Sequence, residues 1–383
     1  MELSSLNVDR QRKITSNLAV RRRFVLIAAI TLLGCLVAFY LSCYAPLSVS
    51  KRFKHHRSSR TIPLFVPNQK TILYWNGLFG ASDYFFGEGN ISQHCETGYN
   101  NCFGTSYRDL DRIDSYDVIL FHGINGELSE DDLPKKRSAA QKYVFIALES
   151  PATRHVSSRF DDFFNSTATY QSDSDVIWSY GDTVPVALND DLIEYNRKKM
   201  KKIVNSKSRV AAWYSSNCNT VSRREKLVAD LEENMPVDKF GKCFEWLTSC
   251  PRNRDCFREH IEPNYFFYLA FENSLCQDYV TEKFFNALRY HVVPVVYGAA
   301  NYTKIAPPRS FINVQDFGSP QLLAQHLLML TKNLTRYEEF FSWKEHYRII
   351  SPKKRIICDL CKLANQKERK SYNISKWYSL SRC

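Results

Sequence analysis

The stretch 267–298, FYLAFENSLCQDYVTEKFFNALRYHVVPVVYG, decides how this chain is read. An apolar run passes into a polar cluster. Val280, Phe284, Ala287, Leu288 and His291 then recur at helical spacing, and a second apolar run follows. The pattern predicts strand, loop, helix and strand, with Thr281 as the helix N-cap. Glu282 and Lys283 fall in the first turn, beside free backbone N–H groups and the positive end of the helix dipole. Such a mouth attracts an anion such as phosphate, and a lysine adds a full charge. A neighbouring carboxylate accepts hydrogen bonds from sugar hydroxyls. The residues suit a nucleotide or nucleotide-sugar site, but taken by themselves they read more simply as an ordinary capped helix with Glu282 placed to suit the dipole and Lys283 solvated.

Outward from this stretch, short apolar runs at 71–77, 116–123, 142–150, 175–181 and 209–217 read as further strands. Helical spacing appears at 222–235 and 319–347. Apolar strands alternating with helices predict an α/β chain with two doubly wound, Rossmann-like sheets. The basic stretch near 194–208 is the natural boundary between them. Ligands in this architecture bind outside the carboxyl ends of strands. His122 and Glu149 both fall at such ends; the histidine reads as a hydrogen-bonded structural residue.

The formal net charge is +12, but nine of those charges lie in residues 1–60, flanking an uncharged segment, Phe24 to Tyr44. Twenty-one such residues are long enough to span a bilayer. The basicity belongs to that segment rather than to a globular face, so nucleic acid is not the expected partner. Arg21, Arg22 and Arg23 favour a cytoplasmic N-terminus, and no small-residue cleavage site ends the segment. The expected organisation is a cytoplasmic tail (1–23), a transmembrane signal anchor (24–44) and a stem (45–68). A first Rossmann-like domain (69–205), a second Rossmann-like domain (206–362) and a C-terminal tail (363–383) follow. Sequons at Asn90, Asn165, Asn301, Asn333 and Asn373, with ten of the 12 cysteines beyond the anchor, predict a luminal, oxidising address.

Cys358 and Cys361 read as disulfide-forming cysteines rather than half a zinc site, since no second C-x₂-C pair exists, and Cys243, Cys250 and Cys256 as a framework of undetermined pairing. Asp173 and Asp175 form a D-x-D, a spacing expected by chance in a chain with 40 acidic residues, so no metal site is read there.

The stretch 267–298 resembles the signature segment of the α1,3-fucosyltransferase family, glycosyltransferase family 10. ALESPATRH (147–155), FFNSTATYQSDSDVIWSYGD (163–182), AAWYSSNCNTVSRRE (211–225), PPRSFINVQDFGSP (307–320) and CDLCK (358–362) follow the family's order and spacing. The resemblance implies a GT-B-like fold of two Rossmann-like domains, the first (69–205) binding the acceptor and the second (206–362) the donor, in a Golgi type II membrane enzyme. It would use GDP-fucose and need no cofactor, with no indication of Mn²⁺ stimulation. It implies donor contacts at Asn273, Tyr279, Glu282 and Lys283, a phosphate-binding arginine at Arg223 or Arg224 with Arg223 preferred, and Glu149 as general base. The expected acceptor is a GlcNAc residue of a glycoprotein glycan. A cysteine-bearing insert (241–265) resembles core-modifying members, which favours the innermost GlcNAc of an N-glycan. LacNAc or LacdiNAc antennae are the alternative, and a non-catalytic glycan-binding membrane protein is the rival of a different class. The joint presence of Glu149, Glu282, Lys283 and an arginine argues against that rival.

Overall fold

The computed structural model describes residues 67–123, 132–244 and 254–383. The expected tail, anchor, most of the stem, and Cys250 lie outside the described residues. Among the described residues no helix is long and apolar enough to cross a membrane.

The first half builds one sheet. Its strands are β1 (Lys70–Tyr74), β2 (Gly89–Asn90), β3 (Cys102–Thr105), β4 (Val118–His122), β5 (Lys142–Ala147), β6 (Ser166–Thr169) and β7 (Val176–Ile177). They lie in the order β2-β3-β1-β4-β5-β6-β7, parallel throughout except at the β2–β3 edge. Near-continuous apolar runs are what a sheet covered on both faces demands. Ile72, Tyr74, Leu120 and Ile146 pack to one side, Leu73, Trp75, Phe121 and Phe145 to the other.

Strand β8 (Asp182–Pro185) and helix α1 (Asp190–Ser206) lead to the second half. There follow β9 (Arg209–Tyr214), α2 (Arg224–Glu232), β10 (Val237–Phe240), β11 (Tyr265–Phe271), α3 (Glu282–Arg289), β12 (Val293–Tyr297), β13 (Ile312–Asn313) and α4 (Pro320–Lys332). This sheet runs β10-β9-β11-β12-β13 and is wholly parallel. Helices α2 and α4 cover one face through Val228, Leu231, Leu323 and Leu327; α3 covers the other through Phe284, Phe285, Ala287 and Leu288. The expected pair of doubly wound sheets is therefore present. The basic stretch read as a boundary is the body of α1, whose N-cap Asn189 accepts a hydrogen bond from Leu192 N.

The chain then turns back. Strand β14 (Tyr347–Ile350) pairs antiparallel with β8, and α5 (Lys353–Asn365) packs Ile356, Ile357, Leu360 and Leu363 against the first sheet. Ile374 and Tyr378 close that sheet's opposite face. The expected domain edge at 362 thus falls inside a helix that belongs to the first half by packing. Two disulfides fasten it there: Cys95–Cys358 and Cys102–Cys361. Cys218–Cys243 and Cys276–Cys383 also form, and Cys256 is disulfide-bonded.

Candidate active site

Both sheets present their carboxyl ends to one crevice. In each, the strand order reverses at one point, between β1 and β4 in the first sheet and between β9 and β11 in the second. Loops leaving neighbouring strands part there, and the gap admits ligand. The halves touch through polar atoms. Ser150 Oγ donates to Ser274 Oγ at 2.7 Å, and Tyr279 Oη donates to Glu149 Oε2 at 3.2 Å. Tyr279 is buried, its ring 4.9 Å from that of Tyr170. Gly181 allows a close approach, because a Cβ there would lie 2.5 Å from the Phe285 ring of α3. Tyr180 donates to Leu148 O at 2.7 Å. Its phenol is held well above its ordinary pKa by burial, then by the charges of Glu282, Glu149 and Glu272. Glu149 from the first half and Glu272 and Glu282 from the second thus all lie near this one phenol.

On the second-half side, α3 begins at Glu282 with Thr281 as N-cap, as the spacing predicted. The Thr281 side chain does not cap its own helix. Its backbone N–H donates to Glu272 Oε1 at 2.8 Å and its hydroxyl to Glu272 Oε2 at 2.9 Å. Lys283 Nζ reaches Glu272 Oε2 at 3.3 Å, Thr281 Oγ1 at 2.8 Å and Glu282 Oε1 at 3.1 Å. Burial alone would lower the lysine pKa; Glu272 and Glu282 reverse that and raise it. Glu272 is fully buried, and burial pushes its carboxyl up against the opposing pull of Lys283. No expectation from sequence named Glu272. Its signal is an acid following seven buried apolar residues of β11, where only a satisfied carboxylate is tolerated.

On the first-half side, Glu149 follows β5 and lines a cavity of about 280 Å³ together with Phe79, His122, Arg154 and Val156. Tyr378 fixes the local backbone by donating to Glu149 O. His122 Nδ1 lies 3.2 Å from Gly77 O, and its ring meets Phe79 edge-on at 5.2 Å. Phe79 is exposed and held at φ 48°, in the left-handed region that side chains disfavour. A larger cavity, about 740 Å³, is lined by none of the predicted site residues.

The two candidate arginines separate. Arg223 is exposed at the N-cap of α2 with φ 52°. Arg224 is buried and donates to Phe271 O at 2.8 Å, Ser215 Oγ at 3.0 Å and Asn217 O at 3.2 Å, bridging the loops after β9 and β11. Arg224 is also close enough for its charge to act on Lys283. Asn273 lies beside it, half-buried, accepting a backbone bond from Ser222 N at 3.2 Å.

Asp173 pairs with Arg382, and Asp175 with Lys370 at 2.7 Å and Tyr372 Oη at 2.8 Å, so both D-x-D carboxylates anchor the C-terminal tail. Among the sequons, Asn90, Asn301, Asn333 and Asn373 are exposed. Asn165 is a correction. It is 5% exposed, its amide oxygen accepts from Arg137 and from Tyr143 N, and its amide nitrogen donates to Lys370 O. Buried and hydrogen-bonded to Lys370 O, that nitrogen is not presented for a glycan in the folded chain.

A family model for fucosyltransferase N-terminal regions matches residues 67–181, and one for glycosyltransferase family 10 (fucosyltransferase) C-terminal regions matches 204–378. The chain is 34% identical over 377 residues to alpha-(1,3)-fucosyltransferase C of Drosophila melanogaster, covering 89% of this chain and 84% of that one. The chain belongs to glycosyltransferase family 10. As a member of that fucosyltransferase family it is an enzyme of glycosyl transfer. It is also 35% identical to glycoprotein 3-alpha-L-fucosyltransferase A of the same organism, over 72% of this chain and 53% of the relative. The fold matches a crystal structure of an α1,3-fucosyltransferase with GDP-fucose at a TM-score of 0.53 and 19% identity, covering 81% of this chain and 95% of the other. In this family member the resemblance read from the sequence and the fold agree.

Proposed function

We propose that the protein transfers fucose from GDP-fucose to the 3-hydroxyl of a GlcNAc residue on glycoprotein glycans, with inversion at the fucose carbon. The favoured acceptor is the innermost GlcNAc of an N-glycan core. The observation that carries this reading is the Tyr279–Glu149 hydrogen bond, which puts a carboxylate at the acceptor-side cavity in reach of the donor-side loop.

Inversion needs one displacement. The acceptor oxygen forms a bond to the fucose anomeric carbon as the bond to the diphosphate oxygen breaks. The proton passes to Glu149, whose second carboxylate oxygen is left for the acceptor, and the electron pair leaves with GDP. Lys283, Arg224 and the α3 N-terminus place positive charge where it grows. Arg224 takes this electrostatic role in preference to Arg223, because its side chain lies beneath the loops after β9 and β11 while Arg223 stands out at the α2 cap. Glu282, half-exposed at the mouth, serves the ribose hydroxyls. The exposed Phe79 offers an aromatic face at the cavity beside Glu149, suited to a pyranose ring.

A glycoprotein acceptor is supported by the relative named for it, and core GlcNAc by the resemblance of the insert. The apolar segment 24–44 supports a single-pass type II protein of the Golgi membrane, catalytic domain luminal; protease protection in sealed vesicles tests that orientation. Detergent-solubilised full-length chain, given GDP-fucose and defined glycans, should add one deoxyhexose to core GlcNAc. Addition only to LacNAc or LacdiNAc antennae would move the acceptor assignment. GDP-fucose binding without turnover on any glycan would overturn transfer itself.

A further inference from the structure

A protonated lysine has three N–H donors. In Lys283 all three meet protein acceptors: the buried Glu272, the Thr281 hydroxyl and the half-exposed Glu282. A diphosphate oxygen can bond to this ammonium only if one acceptor withdraws. The three differ in freedom. Glu272 has no exposed surface and also holds the Thr281 N–H and hydroxyl, so its departure would orphan the helix mouth. Thr281 is itself fixed by that carboxylate. The Glu282 side chain is 54% exposed, and it meets Lys283 through one oxygen. Gly298 preserves the arrangement from behind, since a Cβ there would lie 2.3 Å from Tyr302 Oη and 3.6 Å from Glu272 Cγ.

We propose that Glu272 is a positioning residue for the donor: with Thr281 it holds the Lys283 ammonium charged and aimed, while Glu282 occupies the third proton and yields it to the incoming diphosphate. This rests on the donor-site reading above. It adds a residue that touches no substrate and an exchange of acceptors on Lys283. The charges facing Lys283 are Glu272, Glu282 and Arg224; those facing Glu272 are Lys283 and Glu282, with the phenols of Tyr180, Tyr268, Tyr279 and Tyr302 nearby, all raised by burial.

GDP binding by the full-length chain, measured by calorimetry from mildly acidic to mildly alkaline pH, tests it. Glu272→Gln keeps the shape and an acceptor but removes the charge that sustains the Lys283 proton against burial. GDP affinity should fall roughly tenfold, the scale of one charge-assisted hydrogen bond. Its alkaline limb should also move toward neutrality, where wild type stays flat. A merely structural Glu272 would lower the melting temperature and leave GDP affinity and its pH profile unchanged, which overturns the proposal. Should Glu272→Gln not fold, Thr281→Val removes only the bridging hydroxyl; it should bind GDP more weakly than Thr281→Ser, and equal affinities overturn the proposal. Lys283→Ala separates the two levels. If it binds GDP like wild type, the donor-site reading fails. If it binds weakly while Glu272→Gln and Thr281→Val do not, the positioning role alone fails.

Discussion

Tyr279, from the loop ahead of α3, donates its hydroxyl to Glu149 Oε2 across the crevice at 3.2 Å. The bond joins the two halves at the atom proposed to take the acceptor proton. Glu149→Gln should therefore lose at least about a hundredfold in turnover, the scale of general-base catalysis, with GDP affinity retained. Tyr279→Phe keeps the ring against Tyr170 but frees the carboxylate, and kcat should drop about tenfold. Turnover and GDP affinity measured side by side decide this; weakened GDP binding with intact kcat would contradict the base assignment.

The adjacent arginines should behave differently. Arg224→Ala removes a buried cation from three acceptors and should cost on the order of 3 kcal/mol of stability, together with GDP affinity. Arg223→Ala touches an exposed cap and should stay within about 0.5 kcal/mol of wild type. Thermal unfolding with and without GDP reads both; equal effects would remove the distinction.

The disulfides Cys95–Cys358 and Cys102–Cys361 close loops with sequence separations of 263 and 259. Chain entropy assigns a loop of that length about 5.6 kcal/mol. Both bonds close nearly the same loop, so either one supplies most of that constraint. Alanine at Cys102 and Cys361 alone should shift the urea midpoint little. Alanine at all four cysteines should release α5 and collapse stability. Additive, equal losses from each pair would show that strain or packing dominates instead.

Lys207, buried at the end of α1, donates to Tyr265 O at 2.8 Å, and burial lowers its pKa to about 7 despite Glu262 nearby. The unfolded chain binds this proton up to its ordinary pKa, so between the two values the unfolded state carries the extra proton. Stability should rise with pH across that window, by up to about 1.4 kcal/mol per pH unit, and reach its lower plateau below the folded pKa. Lys207→Met should flatten the slope in a urea unfolding series run from neutral to alkaline pH. An unchanged slope would mean that Lys207 stays charged when buried.

The alternation of apolar runs and helical spacing carried the two parallel sheets, because strand periodicity and a capped first turn are local properties of the chain. The mouth of α3 was legible for the same reason: Thr281, Glu282 and Lys283 are neighbours in sequence, and their helix sets their geometry. Short strands such as β3 and β6 were not, since a few residues such as CFGT and STAT lack a period until neighbouring strands supply their hydrogen bonds.

Other features depended on contacts between residues far apart in the chain. Sequence placed α5 with the half it follows, whereas Cys95 and Cys102, more than 250 residues away, hold it against the first sheet. Arg223 and Arg224 differ in role only because one side chain lies under the ends of β9 and β11 and the other does not. Glu272 looked like any acid at a strand end until burial beneath Thr281 and Lys283 gave it partners and removed it from water. Local propensity thus determined which elements form and which residues stand at their ends. Burial and long-range pairing, which no short window of sequence contains, decided which charges meet across the crevice.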